Sequence, residues 1–247
     1  MKTKSRRLET IAKLAMPCTC GGDIGTDHSW LPIILIQKGK WKRAVASDLR
    51  RGPLLAAEKN IAENGLSEQI EMRLGPGLKP YRPGECDNFV IAGMGGPEIC
   101  AIIEESIEVA SSAKELVLQP NTAEYEVRRY LDGRGFEITE ERVAVEQRHV
   151  YLIIRGSFHQ KRLAASLRAP QRAYTMEERI AFHTGSILYK RDDQETVCYY
   201  QNLRRKTERI LKGMSCSPLL DPADAQRQAE YQALYRWLEH NAEWSTK

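Results

Sequence analysis

The sequence predicts an α/β fold, a mostly parallel sheet of seven strands covered by helices on both faces and followed by a helical extension. Three observations carry that expectation. Between residues 19 and 155, short apolar strand patterns alternate with helix-period patterns through short connections, as in strand-helix-strand units. Glycine-rich or acidic loops follow the strands, at the end of such a sheet where ligands bind. Beyond residue 158 the strand patterns stop and long helical periodicities take over.

Taken in order, residues 6–14 form a short amphipathic helix with Leu8, Ile11, Ala12 and Ala15 on one face, and Pro17 ends it. The first strand, 19–24, is weak in propensity because Gly21 and Gly22 lie inside it. Gly25 then permits a tight turn, and a helix over 30–38 begins near Ser29, capped by Asp27 or Ser29 or turning its first N–H groups to a ligand. Gly39 stops that helix, and the second strand, 42–47, carries the chain to Asp48. A helix over 53–64 directs Leu54, Leu55, Ala57, Ile61 and Ala62 inward and ends at Gly65. The third strand, 69–74, runs into Gly75-Pro76-Gly77; the fourth, 87–92, opens onto Gly93-Met94-Gly95-Gly96. A helix over 97–110, a strand over 115–119 leading to Pro120-Asn121, and a helix over 125–133 follow. The alternation in 136–145 and 150–155 predicts an antiparallel pair closing the sheet.

After residue 158 the chain reads as a second unit, 159–247, appended to the first, 1–158. Residues 159–173 are basic and read as a connector; helical patterns over 176–183, 193–214 and 221–244 are separated by Gly185 and by residues 215–218. An antiparallel helical pair is the economical arrangement. The formal charge is only +4, yet residues 148–212 hold 14 Lys and Arg against 6 Asp and Glu. Arg204, Arg205, Lys206, Arg209 and Lys212 cluster on one helix, a pattern that suits a polyanionic partner or an ordinary solvated face. The six cysteines include one CxC pair, Cys18 and Cys20, with the others scattered, so reduced thiols are expected and no metal site. No apolar run reaches the length of a membrane span and the Lys-rich start lacks a signal-peptide core, so a cytoplasmic chain without membrane contact is expected.

The central stretch is TCGGDIGTDHSWLP, residues 19–32. Its strand end, tight turn and helix start form a ligand cradle, but its glycines lack the GxGxxG spacing, and Asp27 would repel a pyrophosphate. A cationic or zwitterionic ligand fits better. Asp48, 25 residues beyond Asp23, stands where doubly wound domains place an acid on a ribose diol, and the same position would also cap the next helix. The glycines at 93, 95 and 96 indicate close approach of a planar group, or turn chemistry alone.

Four of these segments together, DIGTDHSWLP (23–32), RGPLLAA (51–57), VIAGMGG (90–96) and LQPN (118–121), resemble the bacterial tRNA methyltransferases that modify N1 of adenosine 22 with S-adenosylmethionine. The resemblance runs from about residue 6 to residue 158. It implies a Rossmann-like class I methyltransferase fold, tRNA as macromolecular partner, a monomer, and the helical carboxyl-terminal extension of that family. It also implies roles. Asp23, Gly25, Asp48, Leu49, Gly75 and Gly93 would hold the cofactor; Asp27 and His28 would stand beside the methyl-transfer pocket, with Asp27 the leading candidate to stabilise developing positive charge. Gly93 and Met94 would replace the aromatic-and-proline catalytic loop of other base methyltransferases, and Gln119 and Asn121 would line the target base. Asp48 stands where that family usually has glutamate, Thr26, Ser29 and Trp30 replace small or tyrosine-like residues, and residues 18–22 are less typical. Two other classes share the pattern: an RNA-binding protein with an inactive core, and a nucleotide-linked oxidoreductase of related fold.

Overall fold

The structure is a computed structural model and describes residues 5–26, 28–168, 173–215 and 221–241. Seven strands form one sheet: β1 (Cys18–Ile24), β2 (Trp41–Asp48), β3 (Ile70–Leu74), β4 (Asn88–Gly95), β5 (Glu115–Thr122), β6 (Phe136–Glu146) and β7 (His149–Phe158). Their order is β3-β2-β1-β4-β5-β7-β6, and β7 alone runs against its neighbours. Helices α1 (Arg6–Leu14), α2 (Trp30–Gln37) and α3 (Arg51–Glu63) cover one face; α4 (Gly96–Glu105), α5 (Ile107–Ser112) and α6 (Glu124–Gly133) cover the other.

Strand alternation divides the core between these layers. Phe89 and Ile91 pack into the α4–α6 side while Val90 between them packs with α1 and α2; Leu116 and Leu118 are separated from Val117 in the same way. Gly21 and Gly22, which weaken the propensity of β1, make room for aromatic rings: a Cβ at 21 would lie 2.2 Å from the Trp41 ring, and one at 22 would lie 2.3 Å from Phe89. The chain order reverses between β1 and β4, which opens a crevice at their carboxyl ends.

The remaining elements are α7 (Gln160–Arg168), α8 (Met176–Thr184), a 3₁₀ turn (Leu188–Lys190), α9 (Gln194–Ser215) and α10 (Pro222–His240). They are tied into the sheet through a shared core: Tyr199, Tyr200, Leu234 and Leu238 belong to the same buried cluster as Leu131, Phe136 and Leu152. At its centre the fully buried Arg128 of α6 donates Nε to Glu141 Oε1 of β6 at 2.7 Å and Nη1 to the Phe182 and His183 carbonyls, each at 2.9 Å. Glu141 Oε2 accepts from the Leu188 N–H at 3.1 Å. One ion pair thus joins sheet, α6 and α8.

Several expectations are corrected. The helix expected over 97–110 is two helices, because Ser106 at φ −140°, ψ 44° leaves helical geometry. The fourth strand continues through Gly93 to Gly95, pairing with Pro120 and Thr122 across two register shifts, so the glycines end a strand rather than form a free loop. The stretch read as connector contains α7. The helical extension is α9 against α10 with α8 added; α10 ends at His240, and residues 242–247, like Pro170 and the break at 216–218, lie outside the described residues. Among the described residues, no helix is long and apolar enough to cross a membrane.

Glu141→Ala would leave the Arg128 guanidinium buried and uncompensated. A loss of about 3–5 kcal/mol in urea unfolding is expected, with α8 and α9 losing amide protection along with the sheet.

Candidate active site

A cleft of about 770 Å³ lies at the carboxyl ends of β1, β2 and β4, lined among others by Arg7, Asp23, Gly25, Asp48, Gly75 and Gly93. Every residue expected to hold a cofactor, Leu49 included, borders it. Asp23 sits one residue before the end of β1 with its carboxylate buried. That burial pushes its pKa up to about 6, the nearby Asp48 adds to the rise, and a Thr26 hydrogen bond and the Arg7 charge oppose it. Gly25 takes φ +72°, and a Cβ there would meet Met94 Cε at 2.2 Å, so the turn requires glycine and leaves its backbone open to a ligand.

Asp48 ends β2, and its Oδ1 accepts from the Arg50 N–H at 2.8 Å. Arg50 is itself the residue preceding α3, so Asp48 orders the turn without capping the helix, and its second carboxylate oxygen remains an acceptor at the cleft. Leu49 is 66% exposed, an apolar surface at the rim. His28 is exposed and, like Ser29, left-handed (φ 62° and 52°), a pair of strained residues at the start of α2. The His28 carbonyl accepts from Asn60 Nδ2 at 2.9 Å, and Ser29 makes no capping bond, bonding instead with Thr26 Oγ1 at 3.2 Å. Asp27 lies outside the described residues.

Gln119 and Asn121 are not part of the cleft wall but stand behind it. Asn121 Nδ2 donates to the Gly93 carbonyl at 2.7 Å, Gln119 Nε2 donates to Asn121 Oδ1 at 2.9 Å, and Arg7 Nη1 donates to Gln119 Oε1 at 2.8 Å. The five basic residues of α9 are all exposed. Arg204 pairs with Glu239 at 3.6 Å, and Lys206 lies 3.9 Å from Glu124, the first residue of α6 after β5. Tyr199 of α9 meets Arg128 one turn further along α6, so α9 runs antiparallel to α6 and its later residues, Arg209 and Lys212, extend toward the cleft end of the sheet.

A methyltransferase-domain family model matches residues 4–154. The chain is 32% identical over 150 residues to the tRNA (adenine(22)-N(1))-methyltransferase of Bacillus subtilis, a match covering 61% of this chain and 63% of that protein, just under two thirds of its length. The crystal structure of the Bacillus subtilis m1A22 tRNA methyltransferase superposes with a TM-score of 0.78 at 25% identity, covering 96% of this chain and 97% of that one. The chain belongs to the tRNA (adenine(22)-N(1))-methyltransferase family. A Streptococcus pneumoniae structure, described as a "putative tRNA (m1A22) methyltransferase" in complex with S-adenosyl-L-methionine, superposes with a TM-score of 0.75 at 28% identity over 94% of this chain and 99% of that one.

In this tRNA methyltransferase family member, the residue that sequence reading missed is Arg7. Within α1 it is one charge on an amphipathic helix, and its partners Gln119 and Glu146 lie more than 100 residues away. The cysteines also differ from their scattered appearance: Cys20 and Cys86 meet in the core with Sγ atoms 3.4 Å apart, and burial pushes the Cys18 thiol up to about 12. The described cysteines are free thiols, and Cys216 lies outside the described residues. Among the described residues, no cluster of three His, Cys, Asp or Glu side chains is placed to hold a metal ion.

The raised Asp23 pKa makes the ligand-free protein pH-sensitive. Because the folded pKa, about 6, lies above the unfolded value, 3.8, the folded state holds the extra proton between them. Stability is greatest below pH 4 for this group and falls as pH rises through 6, by about 3 kcal/mol at full ionisation. Asp23→Asn is expected to remove that slope in urea titrations from pH 4 to 7 and to stabilise the ligand-free protein at pH 7.

Proposed function

We propose that the protein transfers a methyl group from S-adenosylmethionine to N1 of an adenosine in tRNA, at position 22, through the cleft of Asp23, Asp48 and Gly93. The observation that carries this reading is the meeting of a buried acid, a second acid and the Gly93-Met94-Gly95 strand end at one topological switch point. It is supported by the relatives that carry that activity in their names.

The site fits S-adenosylmethionine by its donor set. Asp23 is a buried carboxylate whose ionisation a cationic ligand end would favour, Asp48 offers an acceptor to a ribose diol, Leu49 an apolar face, and Gly75 a side-chain-free rim. When bound, the cofactor supplies a methyl group already activated on a sulfonium. Adenine N1 brings its own lone pair: as the N–C bond forms the S–C bond breaks, no proton has to leave, and the ring becomes cationic. Residue roles are therefore positioning and electrostatics rather than general base catalysis. We assign Asp27 to the acidic rim that stabilises the developing charge, His28 to holding the base or cofactor, Met94 to packing under Gly25, and Gln119 with Asn121 to the base side. The target has to leave its stack before it reaches the cleft.

Arg204, Arg205, Lys206, Arg209 and Lys212 we assign to tRNA phosphates, since α9 points this row toward the cleft end. On this reading residues 1–158 form the methyltransferase domain and residues 159–247 the helical domain of a monomeric, cytoplasmic enzyme.

Nucleoside mass spectrometry after incubation with unmodified tRNA should detect N1-methyladenosine; methylated guanosine or cytidine instead would exclude the reading. By calorimetry, Asp48→Ala should weaken S-adenosylmethionine binding by about tenfold or more, through loss of a charge-assisted hydrogen bond worth about 1.5–3 kcal/mol. Replacing Arg205 and Arg209 together should leave that binding unchanged, weaken tRNA binding, and flatten its salt dependence by about one unit of slope for each phosphate no longer neutralised. An unchanged slope would make the cluster a solvated face.

A further inference from the structure

Arg7 connects the two halves of the site. It lines the cleft with Asp23 and Gly93, and its charge favours ionisation of Asp23. Its backbone N–H donates to Glu146 Oε2 at 3.2 Å, and the same oxygen accepts from Ser5 Oγ at 2.8 Å, which anchors the start of α1 on the end of β6. The Arg7 guanidinium carbon lies 5.6 Å from the Tyr151 ring centroid, and Tyr151 stacks with His149 at 6.0 Å. The guanidinium is thus held from two sides while Nη1 points at Gln119 Oε1.

A guanidinium donates hydrogen bonds and accepts none. The Gln119 carboxamide must therefore turn its oxygen to Arg7, which leaves Nε2 for Asn121 Oδ1; Asn121 must then turn its own nitrogen to the Gly93 carbonyl. One cation fixes the polarity of two amides that could otherwise sit either way round. The end of the row consists of oxygens, Asn121 Oδ1 and the Gly93 carbonyl, each with capacity for a second donor. Adenine presents an N–H₂ donor next to N1, whereas guanine presents the O6 acceptor in that place.

We propose that Arg7 is a positioning residue that locks the Gln119–Asn121 relay in the polarity that accepts the exocyclic amine of adenine. The proposal rests on the methyl-transfer reading above and extends it to base selection. Reversed amides would present N–H groups to that amine and repel it.

The test is single-turnover methylation at saturating cofactor, comparing tRNA transcripts with adenosine or with purine riboside, which keeps N1 but lacks the amine, at the target position. The wild-type protein should methylate adenosine faster. Arg7→Ala should lower the adenosine rate by about tenfold to a hundredfold and bring the adenosine to purine riboside ratio close to that of a site with no amine acceptor, with S-adenosylmethionine affinity within about threefold. Arg7→Lys, which keeps a donor, should recover most of both. Gln119→Glu keeps the acceptor for Arg7 but removes the donor to Asn121, and it should reproduce the loss even if Arg7→Ala proves poorly folded. A wild-type ratio in Arg7→Ala or Gln119→Glu, whether or not the absolute rate falls, overturns the relay. Absence of N1-methyladenosine with the wild-type protein would instead bring down the methyl-transfer reading, and the relay with it.

Discussion

The carboxyl end of β1 carries a carboxylate that water scarcely reaches, and the arrangement of the site follows from that constraint. Asp23 lies on a strand flanked by β2 and β4, with the Trp41 and Phe89 rings packed where the preceding glycines lack side chains. Ionising it there costs free energy unless a cation arrives, and Arg7 supplies only partial compensation from across the cleft. The site is therefore poised for a ligand with a positive end. The left-handed turn at Gly25, the strained pair His28–Ser29 and the acid at the end of β2 surround that one unsatisfied charge, and each is held by backbone pairing or by packing remote from the cleft.

Most of the fold was legible because its periodicities are local. Strand and helix alternate within windows of about ten residues, and the order of loops locates the ligand end before any contact is known. What escaped was decided by partners. The extension of β4 through Gly93 and Gly95 depends on backbone pairing to Pro120 and Thr122, and glycines give no side-chain pattern to announce it. The break at Ser106 has no proline or glycine to mark it. In the site, Asp23, Gly25, Asp48 and Gly93 were legible as residue types that a strand-end cradle requires. Arg7 was not, because its role arises only when α1 lies across the ends of β5, β6 and β7.

The Arg128–Glu141 pair gives the carboxyl-terminal helices a fixed place. Burying an ion pair contributes little net stability compared with apolar packing, but either charge left alone is strongly unfavourable, so the pair penalises every arrangement in which α6, β6 and α8 are not together. That specificity has a geometric consequence. With Tyr199 held at Arg128 and Lys206 beside Glu124, the last turns of α9 are aimed past the end of β5 on the side of the cleft, at an orientation the core does not leave free.

Charge is accordingly sorted by distance from the reaction. The cleft is lined by acids, Asp23, Asp48, Glu98 and Glu105 among them, whereas the exposed basic row belongs to α9. A polyanion meeting the acidic rim alone would be repelled, and one meeting the basic row alone would be held without its base in place. Both conditions are met when phosphates rest on α9 and only an uncharged base enters the cleft. The same separation suits the chemistry, because the base becomes cationic on methylation and the nearby carboxylates then stabilise charge in the pocket while the phosphates stay outside it. An acidic cleft thus serves an RNA-modifying site provided that affinity is supplied elsewhere, and the rigid junction at Arg128 keeps the two functions in register.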